Sequence, residues 1–278
     1  MFELLKYSLP FNYLLNSRIK SLLERVSWVI IYFLPSVIVG LYYIHDHHLI
    51  YLLLYILAYI TFNTVYEIGY IQNDVVTVRT ESTPTYRLSL KARESLYKIL
   101  WRVYFFRAMI ALFLLFCMYE ISIKFDVEIF ISQFSFMLLL VLSIFSLHNN
   151  IRSRGNIVTF SLLSLLKFSI VLSLFFSFEF YIELLMCSVF VFPLLRSIEH
   201  STKLKYGMTS LSRIVGSHNI FRLKYYILIF LLTLGIFILF PIESVEKELY
   251  VVIIFYFLLF RAGSYLLVKY GLYKREQY

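Results

Sequence analysis

Apolar residues fall in long, nearly unbroken blocks separated by short polar stretches. Eight blocks stand out, at roughly 26–44, 49–66, 101–119, 129–147, 157–178, 180–196, 225–241 and 249–268. A helix needs about 20 mostly apolar residues to cross the hydrocarbon of a bilayer, and some blocks reach that length only with their flanks. The third is interrupted by Arg102 and Arg107, the fifth carries Lys167, and the short sixth contains Glu183. The pattern predicts an all-α, polytopic membrane helical bundle of about eight transmembrane helices.

The polar stretches alternate in charge. With the N-terminus placed in the cytoplasm, the segments on that side hold 21 of the 26 Lys and Arg residues, and the opposite side holds only Lys124 and Lys247. Arg107, Lys167 and Arg261 remain within the blocks. An excess of this size follows the positive-inside rule and places both termini in the cytoplasm. The net charge of +9 therefore points to an anionic inner leaflet rather than to nucleic acid. The connections on the outer side are short, among them HDHH at 45–48, whose metal-ligand residue types have no further partner on that side. Two cytoplasmic connections are long, 67–100 and 197–224, and these are the places with room for a polar site. Residues 1–25 carry charges throughout, unlike a cleavable signal peptide. They read as an amphipathic cytoplasmic stretch on the membrane face, with Lys6, Arg18, Lys20 and Arg25 toward head groups.

Composition sharpens this picture. Hydrophobic residues make up 60% of the chain and the mean hydropathy is +0.78, against roughly 45–50% apolar residues in a soluble domain. Cys117 and Cys187 both lie inside apolar blocks and suggest neither a disulfide framework nor a metal site. No internal repeat or linker divides the chain, which reads as one membrane domain over 1–278.

The first long connection opens with YEIGYIQNDVVTVRTE at 66–81. Asn73 and Asp74 offer oxygen ligands of the kind Mg²⁺ takes, usually together with substrate phosphates. Glu67 lies seven residues before Asp74, so a continuing helix would put both carboxylates on one face. An ionisable group at that depth reads as functional. Glu81 is placed to close the same cluster, and Arg79 and Arg87 suit bidentate contacts to phosphate oxygens. The second long connection offers Glu199 with Lys203 and Lys205, an acid for a metal and cations for a diphosphate. Together the two connections are expected to form a polar cap in which Glu199 faces Asp74. Lys167, Arg107 and Arg261 are expected to snorkel, to pair with acids, or to line a cavity. The chain contains no GxGxxG, P-loop, nucleophile elbow or HExxH.

This layout resembles the UbiA superfamily of intramembrane prenyltransferases. These are helical bundles of similar length with an NDxxDxxxD motif after the second helix and a second Asp-rich motif after the sixth. Asn73 and Asp74 match the opening pair of the first motif. Thr77 stands where the next Asp is expected and Glu81 where the third is. Glu199 falls on an acid of the second motif, Lys203 where the other acid would be, and Gly207, Leu211 and Gly216 echo that motif's tail. Arg152 and Arg154, in HNNIRSRG, correspond to basic residues common after the family's fourth helix. The resemblance implies a bacterial inner-membrane enzyme that uses Mg²⁺ to move a prenyl group from an isoprenyl diphosphate to a small or lipid acceptor. Catalysis would fall to Asn73, Asp74 and Glu199, with the metal on Asn73, Asp74, Glu81, Glu199 and Glu67. Substrate would be held by Arg79, Arg87, Arg152, Arg154, Lys203 and Lys205. Within the same family, transfer of phosphoribose from its diphosphate donor to a polyprenyl phosphate is the close alternative. A non-enzymatic transporter of lipid-linked substrates is the alternative of another class. It would call for repeats and for broken helices with Gly or Pro.

The expected topology is directly testable. Reporter fusions at Asp46, Asp126, Phe178 and Glu243 should score as outside, and fusions at Arg87, Arg152 and Lys205 as inside. A reversal at any of these positions would break the assignment.

Overall fold

The protein is described by a computed structural model in residues 2–44, 46–81, 84–151, 153–239 and 245–272. Among these residues there is helix and no strand. Among the described residues, seven helices are long and apolar enough to cross a membrane, and an eighth is counted if one bent pair forms a single span. The chain divides into two compact units, Met1–Glu183 and Leu184–Tyr278.

The first unit begins with two short helices, α1 (Phe2–Ser8) and α2 (Asn12–Ser17). Helix α3 (Leu22–Trp28) starts at a capping box in which Ser21 and Glu24 satisfy each other's backbone N–H groups. It continues through a π-helical turn, Val29–Phe33, into α4 (Leu34–Tyr43). Pro35 explains the turn: it lacks an N–H and its ring crowds the preceding turn, so the helix widens there. Helix α5 (His48–Val75) is the longest and runs well past its apolar block. The stretch 67–100, expected as a loop, is largely helical: α5 ends in it, a 3₁₀ turn covers Thr77–Arg79, and α6 spans Leu90–Lys98. Helices α7 (Leu100–Phe125), α8 (Ile131–Asn150) and α9 (Gly155–Ser169) complete the long elements, and a 3₁₀ segment extends α9 to Leu174.

Helix α5 is the axis of this unit. Tyr55, Tyr59, Phe62, Tyr66 and Tyr70 recur at intervals of three or four and so share a face. Each ring touches the next, with centroids 5.0–6.2 Å apart. Gly69 lets α8 approach: a Cβ there would meet Phe145 Cγ at 2.3 Å. The Asn149 side chain donates to the Gly69 carbonyl at the same crossing, 3.2 Å away.

The N-terminal stretch does not simply lie on a surface. Tyr7 and Tyr13 join Ile71 and Val75 of α5, Leu96 of α6, and Leu100 and Val103 of α7 in one buried cluster. Of the apolar residues of this stretch, Tyr7, Tyr13 and Leu14 are covered by protein, while Leu5, Leu9, Leu22 and Leu23 stay exposed.

Helix α10 (Phe178–Val191) contains the division between the units, and α11 (Pro193–Ser201) follows it at a bend of 48°. Pro193 breaks the backbone ladder there. In the second unit, Gly207, at φ 66°, ends a 3₁₀ turn over Leu204–Tyr206. Helix α12 (Thr209–Val215) closes at Gly216, whose φ of 48° and ψ of −120° suit only glycine. Two long helices, α13 (His218–Leu239) and α14 (Val245–Lys269), complete the unit.

The Gly69 crossing yields a stability prediction. Gly69→Val should force Phe145 off its site and cost about 1–3 kcal/mol, read as a lower melting temperature of the purified protein. An unchanged melting temperature would show that α5 and α8 do not pack this closely.

Candidate functional site

Glu67 and Asp74 lie on the continuous helix α5, and both are buried. Their surroundings differ. Glu67 Oε2 lies 2.7 Å from Arg107 Nη2, and Oε1 accepts the Leu14 N–H at 2.6 Å. Arg107, from α7, is fully buried and donates further to the carbonyls of Tyr7, Thr64 and Leu9 at 2.8, 3.0 and 3.2 Å. This one ion pair joins α5, α7 and the N-terminal stretch, so Glu67 is committed to the architecture.

Asp74 sits seven residues on, about 10 Å further along the helix at 1.5 Å per residue. Arg18 Nη2 donates to both of its carboxylate oxygens, at 2.8 and 2.7 Å. Arg87 Nη1 lies 3.2 Å from Oδ1, the Tyr13 hydroxyl donates at 2.8 Å, and Asn73 Nδ2 donates at 3.1 Å. Burial, and next the nearby carboxylate, push the Tyr13 phenol above its ordinary pKa, so it stays protonated and remains a donor. The Arg18 guanidinium also covers the ring of Tyr70 at 4.3 Å. Lys167 Nζ reaches the Tyr70 hydroxyl at 3.3 Å and lies over the rings of Tyr32 and Tyr66, at 4.2 and 5.3 Å. One carboxylate thus anchors two guanidiniums, with an ammonium one tyrosine away.

The other expected residues are dispersed. Arg79 turns from Asp74 to Glu94 on α6, at 2.9 Å, and stacks on Tyr97. Glu81 is half-buried beyond the helical turn, and Arg154 is exposed at the start of α9. Arg152 lies outside the described residues. Tyr13 and Arg18 were not foreseen as site residues; Arg18 was expected to face head groups and instead holds Asp74.

In the second unit, Glu199 of α11 is buried and accepts from Arg196 Nη1 at 2.6 Å and from Arg222 through Nε and Nη2, the latter at 3.0 Å. Lys203 and Lys205 are exposed, and Lys205 lies over the Tyr206 ring. The partners of Glu199 are therefore arginines of α11 and α13 rather than the lysines nearby in sequence.

Among the described residues, no group of three His, Cys, Asp or Glu side chains is placed to share a metal ion. Both Asp74 oxygens face guanidiniums, and Glu67 is taken by Arg107. This donor set does not fit a carboxylate-bridged Mg²⁺ centre, and what it presents to a ligand is positive charge. Comparison with protein-family models, curated proteins and solved structures finds no match.

The Glu67–Arg107 pair can be tested by a double-mutant cycle. Arg107→Met leaves a buried carboxylate unpaired and should cost about 3–5 kcal/mol. Adding Glu67→Met should recover part of that loss, with a coupling of at least about 1 kcal/mol. Strictly additive losses in thermal unfolding would show that the two side chains do not act as a pair.

Proposed function

We propose that this chain is an integral membrane transferase that cleaves an isoprenyl diphosphate and moves the prenyl group to an acceptor. The observation that carries this reading is the charge at Asp74. A structural ion pair needs one cation, whereas here Arg18 and Arg87 converge on a single carboxylate with Lys167 beyond Tyr70. Such a group suits a diphosphate, because guanidinium forks match phosphate oxygens. The positive-inside bias supports a cytoplasmic location for it, the side on which soluble phosphate donors are found.

The roles follow from the contacts. As the allylic C–O bond breaks, the bonding pair leaves with the diphosphate, and negative charge grows on its oxygens. Arg18 and Arg87, already held in place, stabilise that charge without reorganising. Asp74 is a positioning residue that keeps both guanidiniums aimed. The ring faces of Tyr32, Tyr66 and Tyr70 hold the Lys167 ammonium, which adds a third positive charge near the leaving diphosphate.

The test is diphosphate release by purified protein in the presence of Mg²⁺, comparing isoprenyl diphosphates with phosphoribosyl diphosphate as donors. Arg87→Ala and Asp74→Asn should each lower turnover on the order of a hundredfold, as loss of one charge-stabilising donor does elsewhere. Circular dichroism should show the fold retained. Release from phosphoribosyl diphosphate alone would move the reading to phosphoribosyl transfer. Full activity in both variants would end it.

A further inference from the structure

The second unit contains a cationic group that the proposed transfer site does not use. Helices α13 and α14 pack through paired rings. Tyr226 stacks on Phe257 with centroids 5.5 Å apart and planes at 6°, and Phe230 meets Phe255 at 5.5 Å. The pairs advance in opposite directions, so the two helices are antiparallel. Arg222 lies one turn before Tyr226, and Arg261 lies one turn after Phe257. In an antiparallel pair these two steps lead to the same level. Both arginines are buried, with 9% and 7% exposure. The hydroxyl of Tyr226 reaches the Val191 carbonyl at 2.7 Å and that of Tyr225 the Phe190 carbonyl at 2.6 Å. These bonds tie α13 to the end of α10, just before α11 and Glu199.

Arg222 spends its fork on Glu199, which Arg196 also contacts. Arg261 lies beside Tyr226 and near Glu199, Arg222 and Arg196, and its buried Nε has no hydrogen-bond partner among the described residues. Among the described residues, the buried guanidiniums of Arg222 and Arg261 face the one carboxylate of Glu199, which leaves one positive charge in excess. Arginine does not shed its proton to relieve this, and an unmatched buried charge is costly. The Arg196 side chain keeps 31% exposure, which leaves the group an approach from outside. We infer that Arg196, Arg222 and Arg261 form a binding site for a phosphate-bearing anion, with the Glu199 carboxylate occupying their donors until the anion competes for them. The inference does not depend on the transferase reading.

The same chemistry is offered by a free phosphate and by a lipid head group, and the experiment separates them. The full chain is placed in nanodiscs of phosphatidylcholine and titrated with inorganic phosphate at constant ionic strength, with chloride as control. A second series replaces part of the lipid with phosphatidic acid. Thermal unfolding is read in wild type, Arg87→Ala, and Arg87→Ala combined with Arg261→Gln or with Glu199→Gln. A stabilising shift should persist in Arg87→Ala and disappear when Arg261→Gln is added. It should move to at least threefold lower anion concentration with Glu199→Gln, which removes the competing carboxylate. A response to free phosphate identifies a soluble ligand, and a response only to phosphatidic acid identifies a lipid. Absence of both shifts in wild type, an equal shift with chloride, or a shift that survives Arg261→Gln would overturn the site. Should the Arg261→Gln protein fail to fold, Arg261→Lys keeps the charge but loses the fork, and an affinity unchanged in that variant would likewise overturn it. Loss of diphosphate release with this shift intact would count against the transferase reading alone.

Discussion

A guanidinium cannot be left unpaired in an apolar interior, and much of the first unit is organised by that constraint. Arg107 enters from α7 with no exposure and must find an anion and several acceptors. It takes Glu67 from α5 and the carbonyls of Tyr7, Leu9 and Thr64. Satisfying one side chain therefore requires the N-terminal stretch to come down onto the bundle. Once it is there, Tyr13 and Arg18 are delivered to Asp74. The fold and the candidate site share a cause: the buried ion pair that holds the stretch also supplies the neighbouring carboxylate with its partners.

Both units set more than one guanidinium against a single buried acid. At Asp74 the arginines come from the N-terminal stretch and from the segment before α6. At Glu199 they come from α11 and α13. A carboxylate in this setting acts on arginine geometry first, and it reaches a ligand only through the cations it aims.

Much of the architecture was legible in the sequence because a bilayer-length apolar block has few other uses. The blocks at 49–66, 101–119 and 249–268 each lie inside a longer helix. The sixth block, short and acidic, corresponds to the helix pair bent at Pro193, where a proline inside an apolar run already signals a break. The site was less legible. The seven-residue spacing of Glu67 and Asp74 showed that they would share a helix face if α5 continued. Nothing local showed that Arg18 and Tyr13, 56 and 61 residues away, would reach Asp74. The amphipathic pattern of the first 25 residues is the same whether its apolar face meets lipid or protein. Arg222 was likewise counted among cytoplasmic charges, because pairing across 23 residues depends on how α11 and α13 pack rather than on any repeat in the chain.

The aromatic packing around the N-terminal stretch has an optical consequence. The chain has two tryptophans. Trp101 is 82% exposed, whereas Trp28 is buried, edge-on to Phe11 at 5.8 Å and to Tyr59 at 5.6 Å. Phe11 belongs to the segment that carries Tyr13 and Arg18, and Tyr59 belongs to α5. With Trp101 replaced by phenylalanine, the remaining indole becomes an internal fluorophore. Its emission wavelength would register whether that segment is seated or lifted, with no external label.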